Sequence, residues 1–365
     1  MRFAFRHELE NLQPYPPGKP VEEVQRNYGL TEIVKLASNE NPYGPSPLAV
    51  KAMQDELANL HYYPESGCYY LRNKLAEYHG VEADRLIFGN GSDEVVALLT
   101  MAFLSVGTNI VCSQHTFIRY EMGAMSMGAA TRHVPLKDWH HDVDGLLAAI
   151  DAETRFVFLG NPDNPVGTAL SASESRRLLE NVPANVLVVL DEAYYEFAKD
   201  DEDYPDSVSW LADFPNLVIS RTFSKAYGLA GIRLGYALGH PDVWNALDRV
   251  RPPFNVNRLA QVGAMAALDD ADHLRRTIDG NRAEKLRLYE GLKGLGLEFV
   301  ESRTNFVLVN MKRPALPLYE SLLQSGVIVR PMGIYQLPQH LRVSVGLPHE
   351  NDAFIAALAQ VLQNQ

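Results

Sequence analysis

Val186-Leu187-Val188-Val189-Leu190-Asp191-Glu192-Ala193-Tyr194 decides how this chain folds. An unbroken apolar run rich in valine, with no alternation of polar residues, marks a strand buried on both faces, as in a parallel sheet covered by helices. The run ends abruptly in carboxylates. In open α/β sheets the crevice outside the carboxyl ends of the strands is where ligands bind, so the residues just after each such run bear on function.

The pattern repeats outward from there. Short β-branched or aromatic runs at residues 86–88, 109–112, 156–159, 217–219 and 234–238 predict further strands. Between them, apolar residues at helical spacing predict helices at 94–104, 143–150, 173–179 and 241–250. This alternation predicts an α/β domain with a mostly parallel sheet over residues 30–250. After Pro252-Pro253 comes a long helical stretch at 258–292, strand patterns at 305–310, 327–330 and 341–345, and a closing amphipathic helix at 352–362. Residues 1–29 and 251–365 are therefore assigned to a smaller α+β domain. No internal repeat or low-complexity linker interrupts the chain.

Composition sets limits on partners. The formal net charge of −12 repels nucleic acid and anionic lipid, so any anionic ligand must meet a local cationic pocket. Cys68 and Cys112 form neither a disulfide framework nor a metal-ligand cluster, which fits a reducing compartment. The first residues mix charges among apolar side chains and give no signal-peptide core, and the apolar stretch 95–106 is too short to span a bilayer. A cytoplasmic protein with no metal, no membrane and no nucleic-acid partner is expected.

Four polar motifs come directly after predicted strands: Gly89-Asn90-Gly91-Ser92-Asp93-Glu94, Asn161-Pro162-Asp163-Asn164-Pro165, Asp191-Glu192-Ala193-Tyr194, and Arg221-Thr222-Phe223-Ser224-Lys225. Gly91-Ser92-Asp93 opens a predicted helix, whose free N–H groups and dipole suit a phosphate dianion. Ser92 also reads simply as an N-cap. The glycine spacing is neither a dinucleotide fingerprint nor a P-loop.

Asp191 needs a cation if it is buried, and a protonated pyridine nitrogen would serve. That ion pair keeps the ring of pyridoxal 5'-phosphate (PLP) able to accept electrons. A strand-end Asp can equally cap the next helix. Tyr194 and Asn164 are suited to bond the ring oxygen, although Asn164 before Pro165 also reads as a turn. Lys225, flanked by Thr222 and Ser224 with Arg233 beyond, places hydroxyls and a fixed cation around a reactive amine.

Taken together, these residues resemble the fold-type I PLP-dependent aminotransferases, and within them the histidinol-phosphate aminotransferase branch. The likeness extends through Leu12-Gln13-Pro14-Tyr15-Pro16-Pro17-Gly18-Lys19-Pro20, Leu36-Ala37-Ser38-Asn39-Glu40-Asn41-Pro42, Tyr63-Pro64-Glu65, Thr304-Asn305-Phe306 and Leu341-Arg342-Val343-Ser344-Val345-Gly346. It implies a seven-stranded sheet in the large domain, Lys225 as the lysine that bonds the cofactor and moves the substrate's α-proton, and Asp191 on the pyridine nitrogen. It implies Asn164 and Tyr194 at the ring oxygen, Phe117 stacked on the ring, and Gly91, Ser92, Asp93, Thr222, Ser224 and Arg233 at the phosphate, Asp93 through its N–H. Tyr63 matches a residue that reaches the neighbouring subunit's cofactor phosphate, implying a homodimer with shared sites. Two departures stand out: Val166 where the family usually has Thr, and Asp163 where Asn is frequent.

For the substrate, Arg342 matches the arginine that forks onto the α-carboxylate, and Arg330, Tyr15 and Asn39 would hold the larger charge of a phosphate ester. The resemblance implies amino transfer between histidinol phosphate and 2-oxoglutarate, giving imidazole-acetol phosphate and glutamate in histidine biosynthesis. An aromatic amino-acid aminotransferase, whose branch shares almost every motif, and a threonine-phosphate decarboxylase, whose substrate also carries a phosphate, stay open as alternatives.

Overall fold

A computed structural model describes residues 3–10 and 12–364 of the chain. Residues 1, 2, 11 and 365, expected from sequence to belong to the small domain, lie outside the described residues.

The centre is a seven-stranded sheet in the order Leu86–Gly89, Gly235–Leu238, Leu217–Thr222, Leu187–Asp191, Thr154–Gly160, Asn109–Ser113, Ala130–Val134. Gly235–Leu238 runs antiparallel to both its neighbours, and the other pairings are parallel. The unbroken valine run has its expected cause. Val188 and Leu190 join the core on one face of the sheet, Val189 the core on the other, and all three are fully buried. Ala130–Val134 has no apolar run to mark it in the sequence, because this edge strand, unlike the buried Leu86–Gly89 at the other edge, is largely exposed and carries Arg132 and His133.

A second core surrounds an antiparallel four-stranded sheet in the order Arg330–Pro331, His340–Ser344, Phe306–Asn310, Glu298–Val300, covered by the helices Ala315–Gln324 and Pro348–Gln363. The expected strand at 327–330 divides instead. Val327–Ile328 pairs in parallel with Val34–Lys35, while Arg330–Pro331 joins the four-stranded sheet. The single helix expected at 258–292 is also two, Arg258–Asp269 and Ala271–Gly294. Asp270 breaks it, its side chain accepting from the His273 N–H to cap the second helix.

That break bears on the two cores. Val256, Ala260, Ala264 and Ala267 pack into the large-sheet core, alongside Ala49 of the helix Pro47–Glu56. Leu36 and Ala37 pack instead into the core of the small sheet. The packing therefore departs from a division at residues 30 and 250 at both ends. The N-terminal segment serves both bodies: the Arg6 side chain donates to Ser126 O, and Val24 is buried in the small-sheet core.

Candidate active site

Three adjacent strands of the large sheet end at one cavity of about 340 Å³. Thr154–Gly160 delivers Pro162 and Asn164, Leu187–Asp191 delivers Asp191, Ala193 and Tyr194, and Leu217–Thr222 delivers Thr222, Ser224 and Lys225. The opposite wall comes from the chain before the sheet, through Tyr15, Gly18, Ser38 and Asn39, and from the small sheet, through Arg330 and Arg342.

Asp191 is 6% exposed, and among the described residues it has no ion pair. Tyr120 donates to its Oδ2 at 2.8 Å and the Ala193 N–H to its Oδ1 at 3.2 Å. Burial pushes the carboxyl up to about 6, against the pull of those two donors. A buried carboxylate with no cation paired to it is electrostatically incomplete, and a protonated ring nitrogen would supply what is missing. Tyr120 was not singled out from sequence. It is a fully buried aromatic that stacks on Phe158, 4.9 Å between ring centroids, and in sequence it reads as one apolar position of a short helix. Glu192 and Arg221, the neighbours of Asp191 and Thr222, face away from the cavity and pair with each other at 2.8 Å.

Lys225 Nζ donates to Ser38 O at 3.0 Å and lies 5.9 Å from the Tyr194 ring. Loss of water, then the charge of Arg342, lowers the amine to about 8. That leaves a useful fraction unprotonated at neutral pH, as an amine that must attack a carbonyl requires. The Tyr194 hydroxyl, pushed up to about 12 by burial, accepts from Asn39 Nδ2 at 2.8 Å.

The helix Ser92–Phe103 begins beside the cavity without a side-chain cap. Reading Ser92 as an N-cap fails because Gly91 holds that position, with φ of +83°. A side chain at Gly91 would be strained by that positive φ and would displace the Arg233 guanidinium, since a Cβ there would lie 2.3 Å from Nη2. Gly235 has a similar reason, its Cβ position being 2.2 Å from the Ser92 N. Two glycines thus let a guanidinium and a strand approach the helix N-terminus closely. Thr222, Ser224 and Arg233 gather at the same end, with Arg233 Nη1 3.4 Å from Ser224 Oγ.

Arg342 donates to Asn164 Oδ1 and, at 2.9 Å, to Ala37 O. Arg330 donates to Pro16 O and lies over the Tyr15 ring at 5.6 Å. Asn39 ties the two bodies together. Its backbone N–H donates to Ser344 Oγ at 2.9 Å, its carbonyl accepts from Asn305, and its amide reaches Tyr194. Of the residues singled out from sequence, the structure brings all but Gly91 and Tyr63 into the cavity lining, and Gly91 backs Arg233. Tyr63 is 79% exposed and stacks on Phe254, outside its own chain's cavity. The lining also holds Ser38, Arg119 and Tyr120.

A depressed lysine, a cation-seeking carboxylate and a cationic cup for a phosphate, all at the carboxyl edge of one sheet, define a PLP enzyme of fold type I. Known proteins point the same way. The chain belongs to the family described as aminotransferase class I and II, whose model matches residues 31–358. It is 49% identical to histidinol-phosphate aminotransferase 2 of Pseudomonas fluorescens over 97% of this chain and 96% of that protein, and 49% identical to its namesake in Pseudomonas aeruginosa over the same shares. The histidinol-phosphate aminotransferase of Sinorhizobium meliloti, solved in complex with pyridoxal-5'-phosphate, superposes with a TM-score of 0.92 at 30% identity, covering 100% of this chain and 99% of that one. The protein is a PLP-dependent transaminase, and PLP is its cofactor.

Proposed function

We propose that this enzyme transfers the amino group of histidinol phosphate to 2-oxoglutarate, giving imidazole-acetol phosphate and glutamate, a step of histidine biosynthesis. The observation that carries the reading is the pairing of Arg330 with Arg342, in register on adjacent strands and both buried at the substrate wall. Two guanidiniums beside Tyr15 suit a phosphate ester, which has more charge and more oxygens than a carboxylate. The names of the relatives support it.

Bound PLP supplies an electron sink for the carbanion formed at the substrate α-carbon. The residues of this chain do the rest. Asp191 would keep a positive charge on the ring nitrogen, Asn164 and Tyr194 would hold the ring oxygen, and Phe117 would pack on the ring. Gly91, Ser92, Thr222, Ser224 and Arg233 would hold the phosphate, together with the backbone N–H of Asp93. Lys225 Nζ is the group that would take the proton from the substrate α-carbon and hold it for return. Arg342 orients the carboxylate of glutamate, and Arg330, Tyr15 and Asn39 hold the phosphate ester.

We also assign a homodimer. Leu57, Leu60, Tyr62, Tyr63, Tyr69 and Tyr70 are exposed within one stretch of chain, and the exposed Phe254 stacks on Tyr63, a concentration of exposed apolar side chains that suits an interface. In such a dimer Tyr63 would reach the partner's cofactor. Among the described residues no helix is long and apolar enough to cross a membrane, and two buried free cysteines suit the cytoplasm.

Arg330→Ala tests the substrate assignment. It should raise KM for histidinol phosphate about tenfold or more while leaving glutamate within about twofold, as expected for loss of one charge-assisted contact. Equal losses for both substrates would contradict it, and carbon dioxide release from threonine phosphate would replace it with a decarboxylase.

A further inference from the structure

Asp93 sits in the phosphate end of the cavity, where a carboxylate opposes the dianion that must bind there. Two guanidiniums flank it at equal range, Arg233 Nη2 3.9 Å from its Oδ2 and Arg119 Nε 3.9 Å from its Oδ1. Both arginines line the cavity. Without Arg119, the charges at this end would cancel, Arg233 against Asp93, and the dianion would meet a net neutral cup. With Arg119 the cup is positive.

The placement of Arg119 has no evident structural motive. It is the first residue of the helix Arg119–Ser126, where a positive charge opposes the helix dipole. Among the described residues its Nη1 makes a weak contact with Met122 Sδ, at 3.8 Å, and its side chain is 33% exposed. Local rules broken in this way concentrate at functional sites. Phe117, two residues earlier, lines the same cavity, so this short segment presents an aromatic face and a cation to one ligand.

We propose that Arg119 is a second cation of the cofactor's phosphate cup, offsetting the Asp93 carboxylate so that Arg233 is free to hold the phosphate. The assignment rests on the reading of this end of the cavity as the phosphate site. In a chain of net charge −12, one added local cation matters for drawing in a dianion.

The test is equilibrium binding of PLP and of pyridoxal, which lacks the phosphate, to the apo protein and to Arg119→Met and Arg119→Lys. Arg119→Met should weaken PLP about tenfold and leave pyridoxal within about twofold, and Arg119→Lys should recover most of the loss. Added salt should narrow the gap between the unaltered protein and Arg119→Met. Equal weakening of both ligands, or no weakening of PLP, would overturn the proposal. If the unaltered protein bound pyridoxal as tightly as PLP, the phosphate reading of this end would itself fall, whatever Arg119 does.

Discussion

Arg330 and Arg342 stand opposite one another on adjacent antiparallel strands, 8% and 6% exposed, and neither has a carboxylate partner among the described residues. Two buried guanidiniums on one wall of a cavity, without a carboxylate between them, call for an anionic ligand. The chain therefore holds a standing electrostatic demand at its substrate wall. Lys225 feels it as well, because the charge of Arg342 is the second cause, after loss of water, of its lowered amine.

That coupling predicts a pH profile. Below its pKa the Lys225 amine is protonated and cannot attack the cofactor's aldehyde, and above it the amine is free. The rate of covalent PLP capture by the apo protein should rise with pH with a midpoint near 8, well under the ordinary lysine value of 10.5. Arg342→Ala removes a charge that favours the neutral amine, so its midpoint should move to higher pH. A shift to lower pH would contradict the electrostatic coupling.

Asp191 gives the converse dependence. Its folded apo pKa, about 6, lies above the ordinary carboxyl value of 3.8, so its contribution to stability is full below about 4 and is lost as pH rises through 6. The apo protein should lose about 2 kcal/mol over that window relative to Asp191→Asn, measured by denaturant unfolding of both. The same variant should bind PLP at least about tenfold more weakly, since the ring cation loses its counter-charge. Tighter binding by the variant would remove Asp191 from the site.

Tyr120 acts through Asp191. Tyr120→Phe removes the hydroxyl that donates to Oδ2, leaving a buried carboxylate oxygen short of a donor. The Asp191 carboxyl should titrate at higher pH than in the unaltered protein, and PLP affinity should drop a few-fold. An unchanged titration would show that the hydroxyl has no influence on the carboxylate.

The Glu192–Arg221 pair predicts stability rather than activity. Both groups are fully or nearly fully buried, and Arg221 also lies 3.4 Å over the Tyr195 ring. Glu192→Gln leaves a buried guanidinium uncompensated and should cost about 3 kcal/mol in unfolding free energy, with PLP affinity of the folded fraction little changed. A large affinity loss without a stability loss would contradict the separation of this pair from the cavity.

Where each residue lies governs how legible it was in the sequence. Strands buried on both faces announce themselves as apolar runs, so the ends of Leu187–Asp191 and Leu217–Thr222, and with them Asp191 and Lys225, were readable. Ala130–Val134 was not, because an exposed edge strand loses the apolar signal. Asp270 divides a continuous helical pattern by capping, which periodicity does not register. Tyr120 and Arg119 reach the cavity through a short helix, Arg119–Ser126, for which the sequence shows no helical pattern of its own, and only the tertiary fold sets them beside Asp191 and Asp93.

The decisive measurement is the visible spectrum of the PLP-loaded protein on adding histidinol phosphate, with phenylalanine and glutamate in parallel and Lys225→Ala as control. Histidinol phosphate should convert the cofactor rapidly to its amine form, at concentrations where phenylalanine is inert, and should convert none in the control. Faster conversion by phenylalanine would contradict the substrate assignment, and full-speed conversion by Lys225→Ala would contradict the mechanism.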